Sequence, residues 1–177
     1  MNKLIKVNSL TDLARKTIEE YVENNSYVYP EDDCLLEYKD KKAGVFVTIY
    51  KNKNLRGCIG TISPVTESII LEIIRNAISS CTQDPRFSPV KKEELKDLTY
   101  TVSVLMPPEP IDSIDLLDPQ RYGVIVQSGF NKRGLLLPRL EGINTIEEQL
   151  FYAKRKAGIL DHESISLSRF ESIEYKE

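Results

Sequence analysis

Arg56 and Cys58 stand two residues apart in the run Leu55-Arg56-Gly57-Cys58-Ile59-Gly60. On a regular strand such residues share a face, about 7 Å apart at two strand steps, so the guanidinium reaches the sulfur. A cation beside a thiol lowers its pKa and raises the thiolate fraction, the first requirement of a nucleophilic or redox cysteine. Gly57 and Gly60 leave backbone uncovered, which lets a ligand or another segment approach the amides. The same residues have an ordinary structural reading. Glycines mark bulges or tight packing, and cysteine is often buried as a small hydrophobe. On that balance Cys58 is the candidate catalytic residue, with ligand contact favoured over covalent chemistry.

Asp84 and Arg86, in Gln83-Asp84-Pro85-Arg86-Phe87-Ser88-Pro89, supply a second set. As a functional pair they orient a polar ligand, with Asp84 able to accept a proton. As a structural pair they hold a proline-bounded turn, since Asp before Pro is common turn chemistry. Arg56 in turn either binds a carboxylate or phosphate through its fork or pairs with a structural acid such as Asp84. The ligand-binding candidates are therefore Arg56, Gly57, Gly60, Asp84 and Arg86. His162, the single histidine, lies beside acidic residues in a loop and reads as an exposed titrating group rather than a base. No Ser/His/Asp set, metal-ligand cluster or nucleotide-binding loop is recognisable, so no cofactor and no metal are expected.

The chain that must position these groups has 177 residues, enough for one domain or one domain in two lobes. A net charge of −3 does not favour a polyanionic partner. Lys51, Lys53 and Arg56 near Phe46 and Tyr50 form the only local basic cluster beside aromatics, which ranks nucleic-acid binding last. No run approaches the roughly 20 apolar residues of a membrane span, and no secretory segment is recognisable, so a cytoplasmic location is expected. Cysteines at 34, 58 and 81 form no C-x-x-C pair and are expected reduced.

Periodicity places a first helix after Ser9, with Leu10, Leu13, Ala14, Thr17, Ile18, Tyr21 and Val22 on one face. Residues 24–42 read as a surface connection with a short helix at 31–35. A hairpin follows, 44–50 reversing at 51–54 into 55–62. Ser63 and Pro64 open a second helix whose stripe runs from Thr66 to Cys81, making Cys81 a core residue. The prolines at 85 and 89 interrupt it. A strand is expected at 99–106 and a hairpin at 122–127 and 135–137. Thr145-Ile146-Glu147-Glu148 forms a capping box for a helix ended by Gly158, with Lys154, Arg155 and Lys156 in its last turn. Residues 165–175 read as one strand carrying a bulge or lying at an edge.

Three separated stretches resemble the AMMECR-like family, known in bacteria as protein A of the AmmeMemoRadiSam system. They are the hexapeptide, then Asp84-Pro85-Arg86-Phe87, then Leu135-Leu136-Leu137-Pro138 followed by Lys156-Ala157-Gly158. The resemblance spans essentially the whole chain, and the hexapeptide is its most specific part. It implies an α+β fold in two lobes. The larger holds both termini around an antiparallel sheet with helices packed on it; the smaller is inserted, and the hexapeptide faces the interlobe cleft. The expected bounds are 1–62 with 120–177, and 63–119. Association of the family with a Memo-type protein and a radical S-adenosylmethionine protein implies a shared modification pathway, in which the cleft binds a small anionic ligand or intermediate. A non-catalytic adaptor docking those partners is the alternative. Two positions depart from the family: Ser88 replaces a second proline of many relatives, and Arg155 replaces a cysteine usual in the animal and archaeal branches. A scheme pairing Cys58 with a cysteine there does not apply.

Overall fold

The computed structural model describes residues 3–177. The chain forms two compact units, one running to Val104 and resuming at Glu174–Glu177, the other Leu105–Ile173.

The first unit opens with β1 (Lys3–Ile5) and α1 (Leu10–Asn24), and β2 (Val28–Pro30) pairs with β1 in parallel. The Ser9 hydroxyl caps α1 by accepting the Asp12 N–H at 3.0 Å. Leu10, Leu13, Ala14, Thr17 and Ile18 are buried, as the 3.6-residue spacing requires. The helix expected at 31–35 is absent; a 3-10 turn stands at Leu36–Tyr38 instead. Leu35 is left-handed at φ 53, which a continuing right-handed helix does not allow.

Next come β3 (Val45–Lys51) and β4 (Asn54–Gly60), antiparallel and joined by a two-residue turn. Asn52 and Lys53 both have positive φ, 50 and 66, the requirement of the tight hairpin turn that matches strand twist. Then α2 (Ile69–Thr82) leads to β5 (Leu98–Leu105). Ser68 caps α2, so Pro64 lies outside the helix it was expected to open. The cause is Glu72, fully buried, whose carboxylate accepts the Val65 and Thr66 N–H groups and the Thr61 and Thr66 hydroxyls. Those bonds hold the residues before Ser68 as a loop. Val45, Val47 and Ile49 of β3 and Tyr100, Val102 and Val104 of β5 join the helix faces in one core.

The second unit contains β6 (Glu109–Ile111), β7 (Gly123–Ser128), β8 (Lys132–Leu136), α3 (Ile146–Ala157) and β9 (Ser166–Phe170). Its sheet runs β6-β9-β7-β8, all neighbours antiparallel. The Thr145 and Glu148 capping box opens α3, and Gly158 at φ 65 closes it. Leu117, Val124, Val126, Ala153 and Ile159 form its buried cluster.

The segment 165–175 is two strands rather than one irregular strand. After β9, β10 (Ser172–Lys176) joins the other sheet, whose order is β10-β5-β3-β4. The unit bounds also differ from 63–119. Full-length pairing of β5 with β3, from Val45↔Val104 to Lys51↔Leu98, keeps 63–104 with the first unit.

Candidate functional site

The hexapeptide forms most of β4, an edge strand of its sheet. The strand is not regular. Gly57 faces Ile49 and Leu55 faces Tyr50, which leaves Arg56 as the extra residue of a bulge. Even spacing therefore does not relate Arg56 to Cys58. The Arg56 guanidinium instead meets Glu94, Nε donating to Oε1 at 3.2 Å and Nη2 to Oε2 at 2.8 Å. Lys51 Nζ reaches the same carboxylate at 2.9 Å. The Arg56 bonds, aided by Lys51 and the Lys91 N–H, outweigh the burial that opposes ionisation and hold the Glu94 carboxyl at about 2. Arg56 is thus engaged by Glu94, not by Asp84. With Lys51 in the same network, two of the three cations of the basic cluster are already paired.

The two glycines serve internal packing. A Cβ on Gly57 falls 2.3 Å from the Ser80 carbonyl oxygen of α2, and one on Gly60 falls 2.3 Å from the Phe46 ring. The close approach that each permits is made by the chain's own atoms, a helix backbone in one case and an aromatic ring in the other.

Asp84 is the residue that ties the second motif to the first. It is 4 % exposed. Its Oδ2 accepts the Cys58 backbone N–H at 2.8 Å and Arg86 Nη2 at 2.7 Å. Its Oδ1 accepts the Arg86 N–H at 3.1 Å and Nε at 3.0 Å. The Arg86 side-chain bonds, with the two backbone N–H groups, overcome burial and hold the Asp84 carboxyl at about 2. An acid so low in pKa, with four donors on it, is a fixed anion at neutral pH and not a proton acceptor. The Asp84–Arg86 pair is therefore the turn-holding one, and it also clamps the turn to β4.

That clamp fixes the surroundings of Cys58. Arg86, whose side chain is 54 % exposed, is held charged first by its hydrogen bonds to Asp84 and in small part by the charge of Cys58. Thr48 Oγ1 lies 3.2 Å from Cys58 Sγ. Phe87 carries both guanidiniums near its ring, Arg86 at 5.4 Å and Arg56 at 5.8 Å from the centroid. Cys81 is a core residue at 2 % exposure, its thiol pushed up to about 12 by burial. Cys58 is partly exposed and sits among polar groups. His162 lies exposed in the second unit.

Spacing alone does not mark Thr48, Phe87 or Glu94 as site residues. Glu94 sits in a charged run, 91–94, that reads as a solvated surface, and Thr48 in a strand reads as ordinary β-branched filling. The Lys156-Ala157-Gly158 and Leu135-Leu136-Leu137-Pro138 motifs meet each other in the second unit, where Lys156 Nζ donates to the Leu135 carbonyl at 3.3 Å. Among the described residues no helix is long and apolar enough to cross a membrane.

A family model described as AMMECR1 matches residues 11–175. A protein of Thermotoga maritima is 47 % identical over 165 residues, which covers 92 % of this chain and 94 % of that one. A Clostridium acetobutylicum protein is 48 % identical over 166 residues, covering 93 % of this chain but 35 % of that one. The chain thus spans about a third of that longer relative. The crystal structure of an uncharacterized protein from Pyrococcus horikoshii superposes with a TM-score of 0.85 at 36 % identity, covering 95 % of this chain and 89 % of that one.

Proposed function

Because the chain belongs to the AMMECR1 family, we propose that it is a cytoplasmic component of a modification pathway. There it works with a Memo-type protein and a radical S-adenosylmethionine protein, and holds a small anionic ligand or intermediate beside Cys58. The observation that carries this reading is the convergence of two motifs. Asp84 accepts the Cys58 N–H and the Arg86 guanidinium on one oxygen, which ties a half-exposed guanidinium to the residue that carries a partly exposed thiol. Arg86, with Nε and Nη2 bound to Asp84, supplies the donors that remain on its more exposed guanidinium for the anion; Arg56, locked by Glu94 and little exposed, supplies position and field. Cys58 touches the ligand, and its thiolate is the one group of the site suited to nucleophilic chemistry.

The test is metabolic. Cells lacking this protein are compared with cells lacking either partner. Arg86→Ala and Cys58→Ala are expected to accumulate the same compound as the deletions. Full pathway output in both variants overturns the reading.

One observation favours a second reading, an adaptor that docks those partners without chemistry. In the longer Clostridium acetobutylicum relative this domain is joined to further chain that makes up most of the protein. A domain that works alone gains little from such a fusion, whereas one that must sit beside another gains effective concentration. Co-purification with the partners, combined with full output from Cys58→Ala, selects the adaptor; no association under conditions where all are folded removes it. Nucleic-acid association ranks third. Retention on nucleic acid that weakens with salt revives it, and no retention at low salt ends it.

A further inference from the structure

Strand register puts three side chains in one row across the sheet. Thr48 of β3 stands opposite Cys58 of β4 on one side and Thr101 of β5 on the other. All three lie on the face away from the helix core, because their neighbours Val47, Ile49, Tyr100 and Val102 fill that core. The row is polar and deeply set: Thr48 and Thr101 are each 7 % exposed. Phe46 at 9 % exposure and Tyr50 flank Thr48 along β3, so the polar stretch is bounded by aromatics.

A buried hydroxyl without a partner is costly. Thr48 meets that cost through sulfur, at 3.2 Å from Cys58 Sγ. A thiol is a weak acceptor and a thiolate a strong one, so this hydrogen bond stabilises Cys58 most when it is ionised. The β-branched side chain restricts rotation about χ1, so the hydroxyl is aimed at little entropic cost. Thr101 differs. Its hydroxyl makes no hydrogen bond to any other described residue, and although the residue is 7 % exposed the oxygen itself keeps access to solvent. An unpartnered donor and acceptor beside Thr48, on the face that carries the sulfur, is placed to receive a polar atom that the protein itself does not supply.

We propose that Thr48 is the positioning residue of the Cys58 site, donating its hydroxyl proton to the thiolate sulfur, and that Thr101 holds an oxygen of the ligand in the adjoining place. This rests on the reading of Cys58 given above. It narrows the ligand to an oxyanion that also carries a hydrogen-bonding oxygen outside its charged group. The anionic group faces Arg86 and the second oxygen faces Thr101.

The measurement is the pH dependence of Cys58 alkylation by iodoacetamide in the full chain, followed by peptide mass spectrometry. Thr48→Val keeps the shape of the side chain and removes the hydroxyl; Thr48→Ala is the second variant should valine disturb packing. Either is expected to move the alkylation midpoint upward and to slow labelling at pH 7 about five-fold, while Thr48→Ser stays within about two-fold of the parent. A midpoint unchanged in folded Thr48→Val and Thr48→Ala overturns the role of Thr48 and leaves the Cys58 reading intact. A parent protein whose Cys58 resists alkylation at every pH overturns both. For Thr101, malate and acetate are compared as thermal-stability ligands of the parent and of Thr101→Val. Malate is expected to stabilise the parent more than acetate does, and Thr101→Val to abolish the difference. No difference in the parent, or one that Thr101→Val leaves intact, overturns that assignment.

Discussion

The two units use the same packing device and surround it differently. In the first, α2 lays the Ser80 carbonyl against Gly57 of β4; in the second, α3 lays the Ala153 carbonyl against Gly134 of β8. Added Cβ atoms fall 2.3 Å and 2.2 Å from those oxygens. Around Gly57 the strand is ringed by ionised carboxylates brought from other segments, Asp84 on the Cys58 N–H and Glu94 on Arg56. Around Gly134 the strand carries one ion pair, Lys132 with Glu163 at 2.7 Å, and Lys156 on the Leu135 carbonyl, but among the described residues no carboxylate accepts an N–H of β8. A glycine within a motif thus marks a helix seat in both units. A carboxylate bound to the strand's own N–H, not the glycine, distinguishes the candidate site.

The comparison breaks most directly at the glycines. Gly57→Ala and Gly134→Ala are each expected to destabilise by about 2–3 kcal/mol, because a backbone carbonyl must retreat from the new methyl group. Urea unfolding of the two variants checks it. If Gly57→Ala is neutral while Gly134→Ala is not, β4 has room that the packing denies, and a ligand seat at Gly57 returns.

Acid sharpens the contrast. The Asp84 and Glu94 carboxyls sit at about 2, below their values in an unfolded chain. A depressed folded pKa contributes stability that is complete above the unfolded value, near pH 4, and is lost as pH falls toward 2. For Asp84 that contribution is about 2 kcal/mol. Asp84→Asn is expected to remove it and to flatten the acid limb of the stability curve. Amide exchange resolved along the chain should show β4 loosening in acid before β8 does; simultaneous loosening contradicts the distinction.

The smallest effect belongs to the surface of α3. Phe151 is 54 % exposed and packs edge-on against Tyr152, 45 % exposed, with ring centroids 5.2 Å apart. Phe151→Ser is expected to change stability by less than about 0.5 kcal/mol, measured by the same unfolding curves. A larger loss places this aromatic pair in the core of the second unit.

Local signals in the sequence were sufficient for α1, α3 and both hairpins, since Ser9, the Thr145 box, Gly158 and the Asn52-Lys53 turn act through neighbours a few residues away. Where the deciding contact is distant, the pattern misled. Pro64 looks like a helix start until Glu72 binds the loop before it, and 165–175 looks like one strand because strand periodicity does not say which sheet a residue joins. The site divides likewise. The Asp84–Arg86 pair spans two residues and was legible, whereas Arg56 and Glu94 are 38 residues apart. Their pairing depends on a 3-10 turn at Lys92–Asp97 that hydrophobic spacing does not announce.

Asp84 takes hold of residue 58 by its main-chain N–H and leaves the side chain alone. The clamp is therefore indifferent to what that side chain is. Serine at 58 keeps the same loop on the same strand and can still meet the Thr48 hydroxyl, whereas alanine keeps the loop but leaves that hydroxyl without its partner. Position 84 has no such liberty, because every natural replacement except glutamate gives up the charge that grips both backbone and Arg86. The clamp therefore outlasts a change of the thiol and does not outlast the loss of the carboxylate.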